Sequence, residues 1–232
     1  MNHFIASNLY ALKTSFSFSK NNNTYPKIFC IGRNKTGTTS LMKAFQDLKF
    51  HVGDQRRAEL LLPQYRKGNF EPILKYCKSA QVFQDFPFSY PGTFRYLDQR
   101  FEASKFILSI RDSAEEWYNS ITKFHGKLYG RGDIPGQDDL KNARYVYKGW
   151  MWEANRALYS SAPEDPYNKQ ILLGHYNAYN NEIIEYFKGK DNLLILNLKE
   201  SDAYHRFCQF VGAEPIYNHF PWENRTINIR IT

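Results

Sequence analysis

The segment Lys27–Leu41 constrains the fold of this chain more than any other. It reads Lys-Ile-Phe-Cys-Ile-Gly-Arg-Asn-Lys-Thr-Gly-Thr-Thr-Ser-Leu: a short apolar run, a glycine-bounded polar turn, then the start of a helix. A strand that feeds a helix through such a turn points backbone N–H groups at an anion. Gly32 and Gly37 bracket four residues, as in a Walker A loop, and Thr39 stands where that motif has Ser or Thr. The lysine that a nucleoside triphosphatase needs directly after the second glycine is replaced by Thr38. The one lysine of the loop, Lys35, lies inside the bracket. A phosphate loop with an early lysine suits a different anion.

Downstream the chain alternates between strand and helix patterns. Strands are expected at 27–31, 81–84, 105–110 and 193–196, with a short one possible at 50–52. Pro87 ends the strand at 81–84, because proline cannot extend a ladder. Helices are expected at 38–48, 56–66, 70–78, 93–101 and 202–211, the last closed by Gly212. A helix opens at Ser113, and Gly126, Gly130, Gly132 and Pro135-Gly136 read as a loop after it. Long helices follow at 138–161 and 166–187, separated by Pro163 and Pro166. This alternation predicts a three-layer α/β fold of the P-loop type, with a central parallel sheet and flanking helices. The helical stretch at about 137–190 reads as an insertion over the sheet's mouth, where ligands of such sheets bind. Residues 1–24 read as a polar, peripheral arm and 25–232 as one domain.

A second segment carries chemistry. Lys105-Phe-Ile-Leu-Ser-Ile-Arg-Asp112 is a buried-strand pattern ending in Arg-Asp, and Ser113-Ala-Glu-Glu-Trp-Tyr-Asn-Ser120 opens a helix. Arg111 is thereby placed at the rim of the sheet, where a guanidinium can grip a phosphate with two bonds.

Lys35-Thr36-Gly37-Thr38-Thr39-Ser40-Leu41 closely resembles the 5′-phosphosulfate loop of sulfotransferases that use 3′-phosphoadenosine-5′-phosphosulfate (PAPS). The Arg111 segment resembles their 3′-phosphate element, and the resemblance runs from about residue 27 into Phe220-Pro-Trp-Glu-Asn-Arg-Thr226. Many members have Arg-Asp-Pro, with Ser eight residues after the Arg. Here Ser113 replaces the proline, the serine is Ser120, and Asn119 holds the eighth place.

The resemblance implies transfer of a sulfuryl group from PAPS to a hydroxyl or amine of a small-molecule, sugar or lipid acceptor, with adenosine 3′,5′-bisphosphate as product and no metal required. It implies that Arg33, Asn34, Lys35, Thr36, Gly37, Thr38, Thr39 and Ser40 hold the 5′ end, with Lys35 charging the leaving oxygen. Arg111 and Ser120 hold the 3′-phosphate. Trp222 stacks on adenine or anchors the chain end, and Arg225 reaches the 3′-phosphate.

The family uses a His or a carboxylate as general base. Asp85, ending a strand beside Phe86 and Phe88, is the first candidate, since apolar neighbours raise a carboxyl pKa toward a useful value. His125 is the second, and His51 and His175 are weaker. Tyr145 and Trp152 fall off the helical stripe of Tyr147 and Trp150, which makes them the better pocket candidates.

The composition narrows the alternatives. The 232 residues are enough for one domain with a sizeable core, and aromatics at 17% argue for packing rather than disorder. The formal charge of +8 is scattered, with no basic run or nucleic-acid motif, so it fits attraction of a small anion. Three widely spaced cysteines oppose a disulfide framework or a zinc site. No signal peptide and no membrane span are read, which favours a cytoplasmic enzyme. Oligomeric state is left open. Two other functions compete: a P-loop kinase or nucleotide hydrolase, with Asp112 imitating a Walker B acid, and a non-catalytic nucleotide-binding protein.

Overall fold

A computed structural model describes residues 26–221. Its centre is a parallel sheet of four short strands in the order β2-β1-β3-β4. These are β1 (Ile28–Cys30), β2 (Val82–Gln84), β3 (Lys105–Ile110) and β4 (Leu193–Asn197). All three pairings are parallel, with Phe29 opposite Phe83 and Phe106, and Ile107 opposite Leu194. The segment at 50–52 contributes only an isolated bridge, Val52 to Val82.

Strands covered on both faces must be apolar along their length, and β1 is buried at every residue. Successive side chains alternate between two cores. Phe29, Ile31, Phe83, Phe106 and Leu108 pack on one face with Ile73, Phe94, Leu97, Tyr179, Ile183 and Phe187. Those partners come from α4 (Glu71–Tyr76), α5 (Thr93–Arg100) and the region of α9 (Lys169–Tyr186). On the other face Ile28, Cys30, Val82, Ile107 and Leu196 meet Leu41, Phe45, Tyr204 and Phe207 from α1 (Thr38–Asp47) and α10 (Ala203–Val211). Cys30, Cys77 and Cys208 are buried free thiols.

A third apolar cluster lies beyond the strand ends. It joins α3 (Leu62–Arg66), α6 (Ala114–Tyr129), α7 (Gln137–Asn142), α8 (Trp150–Leu158) and the first half of α9. The structure corrects several sequence readings here. The expected helix at 56–66 is two short ones, α2 (Gln55–Glu59) and α3. The helix opened by Ser113 does not yield to a loop at Gly126 but continues to Tyr129. Gly126 is there for contact: a Cβ on it would lie 2.7 Å from the carbonyl oxygen of Asp133. The expected helix at 138–161 is broken into α7 and α8, because the chain turns back through an Arg144–Lys148 bridge. It re-enters helix at Gly149, whose φ of 86° is left-handed. Of the expected insertion, α7 and α8 roof the strand ends, whereas the second half of α9 is an ordinary crossover helix packed on the sheet. The arm at 1–24 and the expectations for Trp222 and Arg225 lie outside the described residues.

Candidate active site

The carboxyl ends of all four strands open into one cavity of about 550 Å³. The β1–α1 loop supplies Asn34 through Ser40, the end of β2 Asp85 and Phe86, the end of β3 Ile110 and Arg111, and the end of β4 Asn197 and Leu198. Helix α6 adds Ser120, Lys123, Phe124, His125 and Tyr129.

The loop is built by close approach. A Cβ on Gly32 would lie 2.1 Å from Ser109 Oγ and 2.5 Å from the Ser109 carbonyl oxygen, so β3 is in contact with the loop's first residue. Thr36 Oγ1 then donates to the Arg33 carbonyl (2.5 Å) and meets Ser109 Oγ at 2.6 Å, which rivets the turn to β3. Gly37 has φ 104° and is the N-cap of α1, a position from which it supplies no capping oxygen. A helix start without a side-chain cap presents its first N–H groups to whatever anion lies in front of it.

The two phosphate-type elements meet directly. Arg111 Nε donates to the carbonyl of Lys35 at 2.8 Å, and Arg111 Nη1 lies 3.3 Å from Glu116. The indole of Trp117 donates to the Asn34 carbonyl (3.0 Å), while the backbone N–H of Arg111 donates to the Tyr176 hydroxyl (2.9 Å). Trp117 and Tyr176 stack at 4.7 Å. Lys35 has φ 69°, and its ammonium sits 3.7 Å from the centre of the Phe124 ring. Burial and the Arg111 charge lower its pKa to about 8, opposed by Asp85. Ser113 caps α6 through its hydroxyl, which accepts from the Glu116 N–H, so serine does locally what proline does elsewhere by fixing the helix start. Ser120 lines the cavity one turn before Lys123, whereas Asn119 is exposed and does not line it.

Arg33 stands apart from the other expected phosphate ligands. Its side chain is 1% exposed and absent from the cavity wall. It donates to the Ser89 carbonyl (2.5 Å) and to the Tyr159 hydroxyl (3.4 Å), and lies over the rings of Tyr90 and Tyr179. A guanidinium held by those rings braces the loop from behind, so Arg33 is corrected to a structural residue.

Asp85 lies at the base of the cavity, with the left-handed φ of 51° that ends β2. Burial raises its pKa to about 6; a Thr38 hydrogen bond and the charges of Arg33 and Lys35 work against that, and Glu59 adds to it. Its Oδ1 is buried with no hydrogen-bond partner among the described residues. Such an orphaned oxygen is costly unless a ligand satisfies it. His125 also faces the cavity, with Nδ1 2.6 Å from the Tyr167 hydroxyl. Burial and then the Lys35 charge push its pKa down to about 3. His175 is likewise lowered to about 3, by burial and Arg33, and lies outside the cavity wall.

The far wall is aromatic, formed by Phe86, Tyr129, Tyr145, Trp150 and Met151 together with Glu59. Tyr145 therefore lines the cavity as its position off the stripe suggested. Trp152 does not; it lies beneath Lys141 and Arg156. Trp150, read as core, is both buried and on the wall. Sequence reasoning missed Glu59, whose neighbours Arg56 and Arg57 make it look like part of a solvated face. Asp112, the imitation Walker B acid, is off the wall and bound to Lys199 (2.8 Å) and Asn197. Among the described residues, no group of three or more His, Cys, Asp or Glu could hold a metal ion, and no helix is long and apolar enough to cross a membrane.

No curated protein matches the chain in sequence. A family model described as a sulfotransferase domain matches residues 27–229. The loop at the end of β1, the arginine at the end of β3 and this match over most of the chain lead to one conclusion: the protein belongs to the sulfotransferase domain family, a family of transferases.

Proposed function

We propose that the protein transfers a sulfuryl group from PAPS to a hydroxyl or amine of a small acceptor. The observation that carries this reading is the 2.8 Å hydrogen bond between Arg111 and the Lys35 carbonyl, which sets the loop after β1 and the end of β3 side by side on one cavity. A nucleotide with phosphates at both its 5′ and 3′ positions fits that pairing. The uncapped start of α1 behind Gly37 suits its 5′ end.

PAPS supplies the sulfuryl group and a phosphate leaving group. Lys35 and the N–H groups of Thr36 to Ser40 stabilise the negative charge that grows on the departing 5′-phosphate oxygen. Arg111 and Ser120 hold the 3′-phosphate, and with it the register of the nucleotide. Asp85 Oδ1 takes the acceptor's proton while the acceptor oxygen or nitrogen bonds to sulfur and the bond from sulfur to the phosphate oxygen breaks. Thr38 steers the carboxylate through its hydrogen bond. Asp85 is preferred to His125 as the base, because a pKa near 6 is better matched to neutral pH than one near 3. The exposed position of Asp112, already paired with Lys199, does not support a metal-dependent kinase.

Thermal unfolding with adenosine 3′,5′-bisphosphate, set against ATP with Mg²⁺, tests this reading. The bisphosphate at 100 times its Kd is expected to stabilise the protein by roughly 2.7 kcal/mol without metal. Lys35→Ala and Arg111→Ala are each expected to abolish most of that gain. Selective stabilisation by ATP with Mg²⁺ would overturn the assignment.

A further inference from the structure

The acceptor side of the cavity holds a polar group that the transfer reaction itself does not use. Glu59, at the end of α2, is 5% exposed, yet it lines the cavity. Its Oε1 accepts from the Tyr145 hydroxyl at 2.7 Å, and its Oε2 lies 3.2 Å from Arg56, whose guanidinium stacks 4.5 Å from the Tyr145 ring. The indole of Trp150 donates to the Glu59 carbonyl at 3.0 Å. Gln55, one turn earlier, donates to the Phe86 carbonyl (3.0 Å), which ties α2 to the segment that presents Asp85. Phe86 in turn packs edge-on against Trp150 at 5.9 Å. The buried carboxylate is thus held by Tyr145, Arg56 and Gln55, its backbone by Trp150, and it is framed by aromatic rings. Burial raises its pKa, against the Tyr145 hydrogen bond and the Arg56 charge.

A carboxylate offers about four acceptor sites, and Tyr145, Arg56 and Gln55 account for three of them, so the Glu59 side chain retains capacity for a further donor. Tyr145 has spent its one proton on Glu59. The lining cations, Lys35, Arg111 and Lys123, belong to the loop, the end of β3 and α6. The charged side chains that α2 and the end of β2 add to the wall are the two carboxylates, Glu59 and Asp85. A further anion brought against that wall meets repulsion. A donor meets acceptors, and an ammonium meets ring faces as well.

We propose that Glu59 is the acceptor-recognition residue, and that it selects a neutral or cationic molecule with an apolar ring frame and a second hydrogen-bond donor remote from the sulfated group. This rests on the sulfotransferase reading above. The acceptor spans the cavity between two carboxylates: its nucleophile at Asp85, its second donor at Glu59, and its ring among Phe86, Tyr129 and Trp150.

Three phenols that differ only at the far end test it by calorimetric titration with saturating adenosine 3′,5′-bisphosphate present. On the common 2-(4-hydroxyphenyl)ethyl frame they are tyramine (ammonium), 4-ethylphenol (hydrogen) and 3-(4-hydroxyphenyl)propanoate (carboxylate). Tyramine is expected to bind at least about tenfold tighter than 4-ethylphenol, the size of one charge-assisted hydrogen bond, and the carboxylate to bind weakest. Glu59→Gln keeps the shape and an oxygen for Tyr145, and is expected to erase the tyramine advantage while 4-ethylphenol is unaffected. Glu59→Asp, with the charge retained on a shorter arm, should keep part of it. Equal affinities in the wild type, a preference for the carboxylate, or an unchanged order in Glu59→Gln would each overturn the proposal. Bisphosphate stabilisation retained in both variants shows that the fold and donor side are intact. Its absence in the wild type would instead sink the sulfotransferase reading.

Discussion

The two walls of the cavity are made by different means. On the proposed reading the donor wall is made of two short contiguous motifs, the loop after β1 and the end of β3, joined by contacts between neighbouring strands. The acceptor wall is assembled from side chains far apart in the chain, such as Glu59 with Tyr145 and His125 with Tyr167. Its charged groups are carboxylates, where the donor wall carries cations. Recognition of an invariant nucleotide can be fixed by a short motif. Recognition of an acceptor depends on packing that no short segment encodes.

Substitutions that act on one wall alone would sharpen this division, and substitutions that cross it would break it. The largest effect is expected at the boundary between them. Asp85→Asn should lower kcat by about 10²- to 10⁴-fold while bisphosphate stabilisation persists, as steady-state kinetics and thermal shift can measure together. In the wild type, activity should rise through about pH 6 as Asp85 ionises and fall above about pH 8 as Lys35 loses its proton. The same substitution should stabilise the fold at neutral pH. The folded-state pKa of Asp85 is raised, so the native state favours its protonated form. Its contribution to stability is therefore lost as pH rises from the unfolded value near 4 to about 6. Removing that penalty is worth about 3 kcal/mol well above pH 6, readable by denaturant unfolding. A wild-type enzyme with no acidic limb would remove Asp85 from the boundary.

Next comes the rivet under the donor wall. Gly32→Ala places a methyl against the Ser109 backbone at 2.5 Å, which a rigid strand cannot relieve. Denaturant unfolding should report a loss of about 1–3 kcal/mol, together with weakened bisphosphate binding. Full stability would show that loop and strand are less tightly joined than the geometry requires. The smallest effect separates two adjacent residues on α6. Ser120→Ala should weaken bisphosphate binding by about 1 kcal/mol in titration, and Asn119→Ala should leave it unchanged, because only Ser120 lines the cavity.

The same division explains what could be read from the sequence. The four strands were legible because a covered parallel strand is apolar along its length, and the loop was legible because glycines, lysine and threonines must fall at fixed spacing. The orientation of Arg33 was not legible. Its neighbours in the loop suggest a ligand, and only the distant rings of Tyr90 and Tyr179 turn it inward. Gly126 reads in the sequence as part of a loop, although the close approach of Asp133 is what requires a glycine there. The turn before Gly149 is hidden because its own Ala143, Val146 and Tyr147 fall in helical register with Trp150, Ala154 and Leu158 of α8. Glu59 gave no signal, since its burial is created by Tyr145 and Trp150, more than eighty residues away.

The stacked Trp117–Tyr176 pair has one more implication. One ring holds the backbone at Asn34 and the other holds it at Arg111, so two packed side chains tie the loop after β1 to the end of β3. Neither ring lines the cavity. If the proposed function holds, the pair acts as a spacer gauge: thinning it would alter which isomer of a nucleotide bisphosphate the site accepts, while the charges that attract it stay the same.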